Sequence, residues 1–224
     1  FGGPLHVAHQ LGRAFGAMGH EVSVCTTDLR DSAGRLDVPL DQPVDVDGVT
    51  VYYNPVSFLR RWGYSPKLGR RAEIECRTAD LIINHFHYQY ASFVGGRLAR
   101  RFGKPYVVMA HGSLRRSGIR SRKGWLKNCY LQYFEEMNLR KATMVAYHSE
   151  EEMEDSLQWN NACWIPNGVS PDEYGEQSFQ GRDGVGERPF KVVYMGRISH
   201  GKGLVYLLAA FQRLREVRDA ELTL

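Results

Sequence analysis

Residues 190–224 read FKVVYMGRISHGKGLVYLLAAFQRLREVRDAELTL, and this stretch decides the class of fold. Phe190 to Met195 is a β-rich run and Gly196 to Gly203 a glycine-rich loop. Leu204 to Val217 carries Leu204, Leu208, Phe211 and Leu214 at helical spacing, and Glu221 to Leu224 is a second β-rich run. Strand, turn, helix and strand in that order predict a βαβ unit with both strands parallel in one sheet. In such sheets ligands bind beyond the carboxyl ends of the strands, where this loop falls. A helix start there offers free backbone N–H groups and the positive end of the helix dipole. Gly196, Gly201 and Gly203 allow close approach to the backbone, and Arg197 and Lys202 add two cations, a combination suited to a diphosphate. Two other readings stay open at this point. Arg and Lys are ordinary residues of an exposed turn, and Gly196-x-x-x-x-Gly201-Lys202 is also the frame of a P-loop NTPase. A P-loop next requires Ser or Thr to hold magnesium, where this chain has Gly203.

Upstream, the same alternation continues. Candidate strands are Glu21 to Thr27, Val49 to Tyr53 (which could be an edge), Asp80 to Asn84, Pro105 to Ala110, Ala142 to Tyr147 and Ala162 to Ile165. Most are continuous apolar runs, as in parallel sheets covered on both faces. Val7, Leu11, Phe15 and Met18 recur at helical spacing, as do Ala91, Val94, Leu98 and Phe102, and Leu126, Tyr130, Phe134 and Met137; each set predicts one buried helix face. Ser149 and Glu152 form a capping box, with Glu150 and Glu151 adding favourable charge, for a helix expected to end near Trp159. Residues 166–189 read as a linker. The expected organisation is a first domain over 1–165, the linker, and the start of a second domain over 190–224.

Composition bounds the rest. The 224 residues are 43% hydrophobic and 24% charged, near globular averages, with no low-complexity stretch. Cys25, Cys76, Cys129 and Cys163 stand far apart with no Cys-x-x-Cys pair, which fits thiols in a reducing compartment and favours a cytoplasmic protein. The net charge of +4 suits anionic ligands without demanding nucleic acid, and no nucleic-acid motif accompanies it. Nothing in the sequence indicates a dedicated metal, so no cofactor is expected. Arg115, Arg116, Arg120, Arg122, Lys123 and Lys127 surround Trp125 with no acidic residue before Glu135. A solvated loop is the usual account of such a run; peripheral contact with an anionic membrane, on its inner face, is the alternative. The chain opens at Phe1 on a Gly-Gly-Pro turn without a preceding strand and stops on a strand, so both ends read as cut.

Gly196-Arg197-Ile198-Ser199-x-x-Lys202-Gly203, Ile165-Pro166-Asn167-Gly168-Val169 and Gly2-Gly3-Pro4-x-His6-Val7, in this separation, resemble the family 4 retaining glycosyltransferases over nearly the whole chain. The resemblance implies a GT-B fold, two Rossmann-like α/β domains facing across a cleft, with the N-terminal one nearly complete here and the C-terminal one only begun. It implies transfer of a sugar from a nucleoside-diphosphate sugar to a hydroxyl acceptor, such as a glycan, polysaccharide or lipid-linked sugar, with retained configuration. A sugar-nucleotide epimerase or non-catalytic binder on the same architecture stays open. Arg197 and Lys202, with Gly196 and Gly201, are implied to bind the donor diphosphate, and the backbone at Gly2 and Gly3 to face the same phosphates. Gly before Pro is also a common helix entry. His111, at the end of the run Pro105 to Ala110, resembles the family's cleft histidine, implied to hydrogen-bond the donor sugar. His85, His87 and Tyr88 follow another strand end and suit the acceptor side, or core packing equally. Two departures stand out: Ser170 replaces the family's Asp after Asn-Gly-Val, and the family's glutamate pair would lie beyond Leu224, so the chain alone is expected to be weak or inactive.

Overall fold

The computed structural model describes residues 3–30, 34–116, 129–168, 189–196, 198 and 202–224. It divides into two compact units, Phe1–Pro171 and Asp172–Leu224.

The first unit is α/β with two sheets. Helix α1 (Gly3–Ala17) leads into β1 (Ser23–Thr27), β2 (Pro43–Val46) and β3 (Val49–Asn54). These strands lie in the order β1-β3-β2, with β1 parallel and β2 antiparallel to β3. Val49–Asn54 is therefore the middle strand and not an edge, because the short hairpin through Asp47 and Gly48, both at positive φ, folds β2 against its outer side. Helix α2 (Pro66–Thr78) follows, with the Ser65 hydroxyl accepting the Leu68 N–H at 3.1 Å and Pro66 in the first turn. Its Leu68, Ala72 and Cys76 are buried.

The second sheet is all parallel in the order β4 (Ile82–His85), β5 (Tyr106–Met109), β6 (Met144–Tyr147), β7 (Ala162–Trp164). Between β4 and β5 runs α3 (Tyr90–Phe102), closed by Gly103 in the left-handed conformation. Val94, Leu98 and Ala99 of α3 meet Ile82, Tyr106, Val108 and Val145 of the sheet and Leu68 and Ala72 of α2 in one continuous core. Gly95 and Gly96 sit inside α3 because Asn84 and Asn138 press on it; a Cβ at Gly95 would lie 2.1 Å from Asn84 Oδ1.

Two helical expectations are corrected. Leu131–Glu135 forms a turn of π-helix before α4 (Glu136–Lys141), and the wider turn shifts the register. Leu131, Glu135, Asn138 and Leu139 are buried, whereas Phe134 and Met137 are exposed. The helix after Ser149, α5 (Glu150–Glu154), ends well before Trp159. Along α1, Val7, Leu11 and Phe15 are half-buried and Met18 is exposed.

The second unit contains β8 (Phe190–Val193) parallel to β9 (Ala220–Thr223), joined by α6 (Leu204–Val217), so the βαβ pattern forms as read. Gly203, at φ +68, ends the loop and enters α6. No helix among the described residues is long and apolar enough to cross a membrane. All four cysteines are free, with Cys76 buried and Cys129 exposed.

Candidate functional site

Three consecutive parallel strands end in histidine. His85 closes β4, His111 follows β5 and His148 follows β6, and the shared strand direction brings them together at one edge of the sheet. They form a row. His85 Nδ1 and His111 Nε2 share a hydrogen bond of 2.9 Å, and His111 Nδ1 and His148 Nε2 share one of 2.7 Å. Both nitrogens of His111 are thus occupied by imidazoles. Burial, then the neighbouring His148, lowers the His85 pKa to about 4. Burial, then His148 and His85, lowers that of His111 to about 3. His85 and His111 are held uncharged at neutral pH.

The loops that carry these rings are conformationally costly. Phe86, Tyr88 and His111 all have positive φ, at 66°, 33° and 49°. Each costs on the order of 1–3 kcal/mol for a residue with a side chain, and such strain gathers at functional sites. Around the β5 loop it is supported from β6. The Glu152 carboxylate, only 4% exposed, accepts the Gly112 N–H at 2.5 Å on Oε1 and the His148 N–H at 3.0 Å on Oε2.

In front of the row lies an open pocket of about 280 Å³, lined by Gly3, Pro4, His111, Gly112, Arg115, His148, Glu152 and Asn167. The start of α1 contributes backbone N–H groups without internal partners and a positive dipole end, and Arg115 contributes a cation. One wall of the pocket thus suits an anion and the other a neutral polar group.

Of the residues singled out from sequence, Gly3 and His111 share this pocket, and His85 stands behind His111. His87 is fully buried, its Nδ1 2.7 Å from Ser113 Oγ. Tyr88 lies against it with the rings tilted at 41° and 4.0 Å between centroids, and has a buried hydroxyl with no hydrogen-bond partner among the described residues. Gly196 and Lys202 belong to the second unit, and Lys202 is exposed. Gly2, Arg197 and Gly201 lie outside the described residues, as does most of the basic run, residues 117–128. Arg115, read from sequence as part of that run, lines the pocket. Sequence spacing alone does not single out His148, Glu152 or Arg115 as site residues. For His148 a signal existed, since it is the third histidine to stand at a strand end. For Glu152 the capping box accounted for it completely. Among the described residues no group of three or more His, Cys, Asp or Glu side chains is placed to hold a metal ion.

The sequence profile of Glycosyltransferase Family 4 matches residues 1–173, more than three quarters of the chain. No curated protein matches it closely.

Proposed function

The chain belongs to Glycosyltransferase Family 4, enzymes that move a sugar from a nucleotide donor, and on that premise we propose that it takes part in retaining transfer of a hexose from a nucleoside-diphosphate sugar to a hydroxyl acceptor. The observation that carries this reading is the convergence of the α1 N-terminus, His111 and Arg115 on one pocket at the carboxyl ends of parallel strands. The proposed whole is a GT-B arrangement in which Gly2 and Gly3 face the donor phosphates and Gly196, Arg197, Gly201 and Lys202 grip them from the second unit. Binding charge that grows on the departing diphosphate lowers the barrier electrostatically, without a resident metal. His111 orients the sugar, exchanging one of its imidazole partners for a sugar hydroxyl, and its uncharged ring suits a neutral ligand. His85, His87 and Tyr88 support the acceptor side, and the protein works in the cytoplasm.

The test is calorimetric titration with nucleoside-diphosphate hexoses carrying uridine, guanosine and adenosine bases. A charge-assisted contact contributes roughly 1.5–3 kcal/mol, so Arg197→Ala and Lys202→Ala should each weaken donor affinity by about ten- to a hundred-fold. Unchanged affinity in both variants defeats the assignment. Peripheral contact with anionic membrane through the run from Arg115 to Lys127 belongs to the same proposal; cosedimentation with anionic vesicles that is absent, or insensitive to salt, removes it.

A further inference from the structure

Glu152 holds a position where sequence assigns it a routine task. In a Ser-x-x-Glu capping box the serine hydroxyl takes the glutamate N–H, and the carboxylate returns to the N–H of the serine. The first half is present, with Ser149 Oγ accepting the Glu152 N–H at 3.0 Å. The second half is diverted. One carboxylate oxygen accepts the N–H of His148, one residue earlier, and the other crosses to the Gly112 N–H on the neighbouring loop.

A buried carboxylate is expensive unless hydrogen-bonded, and each of its oxygens takes one of these amides. The amides belong to the two loops whose spacing sets the His111–His148 contact. His111 and Gly112 are consecutive left-handed residues, at φ +49 and +74, in a turn closed by the Ser113 N–H donating to the Ala110 carbonyl at 3.0 Å. Further along, the Arg116 N–H donates to the Asp155 carbonyl at 2.9 Å, and the Leu157 N–H to the Leu114 carbonyl at 3.3 Å, which joins the β5 loop to the segment after α5. Glu152 makes the tie nearest the imidazoles.

We propose that Glu152 is a positioning residue for His111: by bridging the Gly112 and His148 amides it fixes the separation of the β5 and β6 loops and so the direction in which the His111 ring meets the pocket. The inference rests on reading His111 as a donor-facing residue, but its test uses no substrate, so the two fail separately.

The experiment is imidazole nitrogen-15 spectroscopy and amide hydrogen exchange on the 224-residue chain. In the wild type, His111 and His148 should each show one fixed tautomer. Glu152→Gln leaves one acceptor oxygen for two N–H groups and turns an NH2 against the second. Exchange at Gly112 should then accelerate by roughly ten- to a hundred-fold relative to Val108, and both imidazole spectra should move toward tautomer averaging. Ser149→Ala removes the cap of α5 but leaves the carboxylate, and should leave both imidazole spectra at their wild-type positions. Wild-type imidazole spectra in Glu152→Gln, or an equal change in Ser149→Ala, overturns the proposal.

Discussion

His111 concentrates the cost of this site in one residue. Its backbone is left-handed, its ring is half-buried, and both ring nitrogens are committed to other imidazoles. The resulting pKa shifts have a consequence for stability. An unfolded histidine titrates near 6.5, whereas folded His85 and His111 resist protonation to about 4 and about 3. Between these limits the unfolded chain binds more protons, so the two histidines subtract stability as pH falls below about 6.5. Glu135 acts in the opposite sense. Burial raises its pKa to about 7, so the folded state binds more protons above the usual carboxylate range and gains stability as pH falls through 7. The wild-type curve mixes both, and a variant separates them. His111→Gln should lose less melting temperature between pH 7 and pH 5 than the wild type; an equal or larger loss contradicts an uncharged His111. His111 and His85 were legible in the sequence because a histidine after an apolar run is conspicuous. Glu152 was not, because a capping box is satisfied by local hydrogen bonds and its long-range partner, Gly112, is forty residues away.

Among the elements, α3 illustrates how local pattern and tertiary packing divide the information. Its period of Ala91, Val94, Leu98 and Phe102 identifies the helix and its inner face from sequence. Its two internal glycines are unfavourable by about 0.5–1 kcal/mol each relative to Ala, and only the fold explains them. At Gly95 the β4 residue Asn84 comes too close for a Cβ, and at Gly96 Asn138 does the same from α4. Gly95→Ala should therefore destabilise by about 1–3 kcal/mol despite the gain in helix propensity, measured as a lower denaturant midpoint. A higher midpoint would mean that Asn84 moves aside freely. The π-turn at Leu131–Glu135 marks the limit of periodicity. One widened turn rotates every later side chain, so the spacing Tyr130, Phe134, Met137 indicated a buried face that instead lies at Leu131, Glu135, Asn138 and Leu139. Helix α2 carried its own signals, Ser65 and Pro66, but its apolar stripe of Leu68, Ala72 and Cys76 is narrow among charged residues and did not stand out.

For the whole molecule, the alternation of strand and helix carried the α/β class, and parallel pairing of β4 through β7 follows from it. What alternation could not give is which strand ends meet. Three histidines 26 and 37 residues apart become neighbours only because β4, β5 and β6 are adjacent, parallel and in register. The start of α1 lines the same pocket as His111 and His148. The central claim is that this pocket receives the nucleotide-sugar donor. The most direct measurement is a titration of the nitrogen-15-labelled chain with nucleoside-diphosphate hexoses, followed at Gly3, Gly112 and the His111 and His148 rings. Saturable shifts at these positions with one of the donors are the expected result; a folded chain in which every donor leaves Gly3, Gly112 and both rings unmoved would contradict the account.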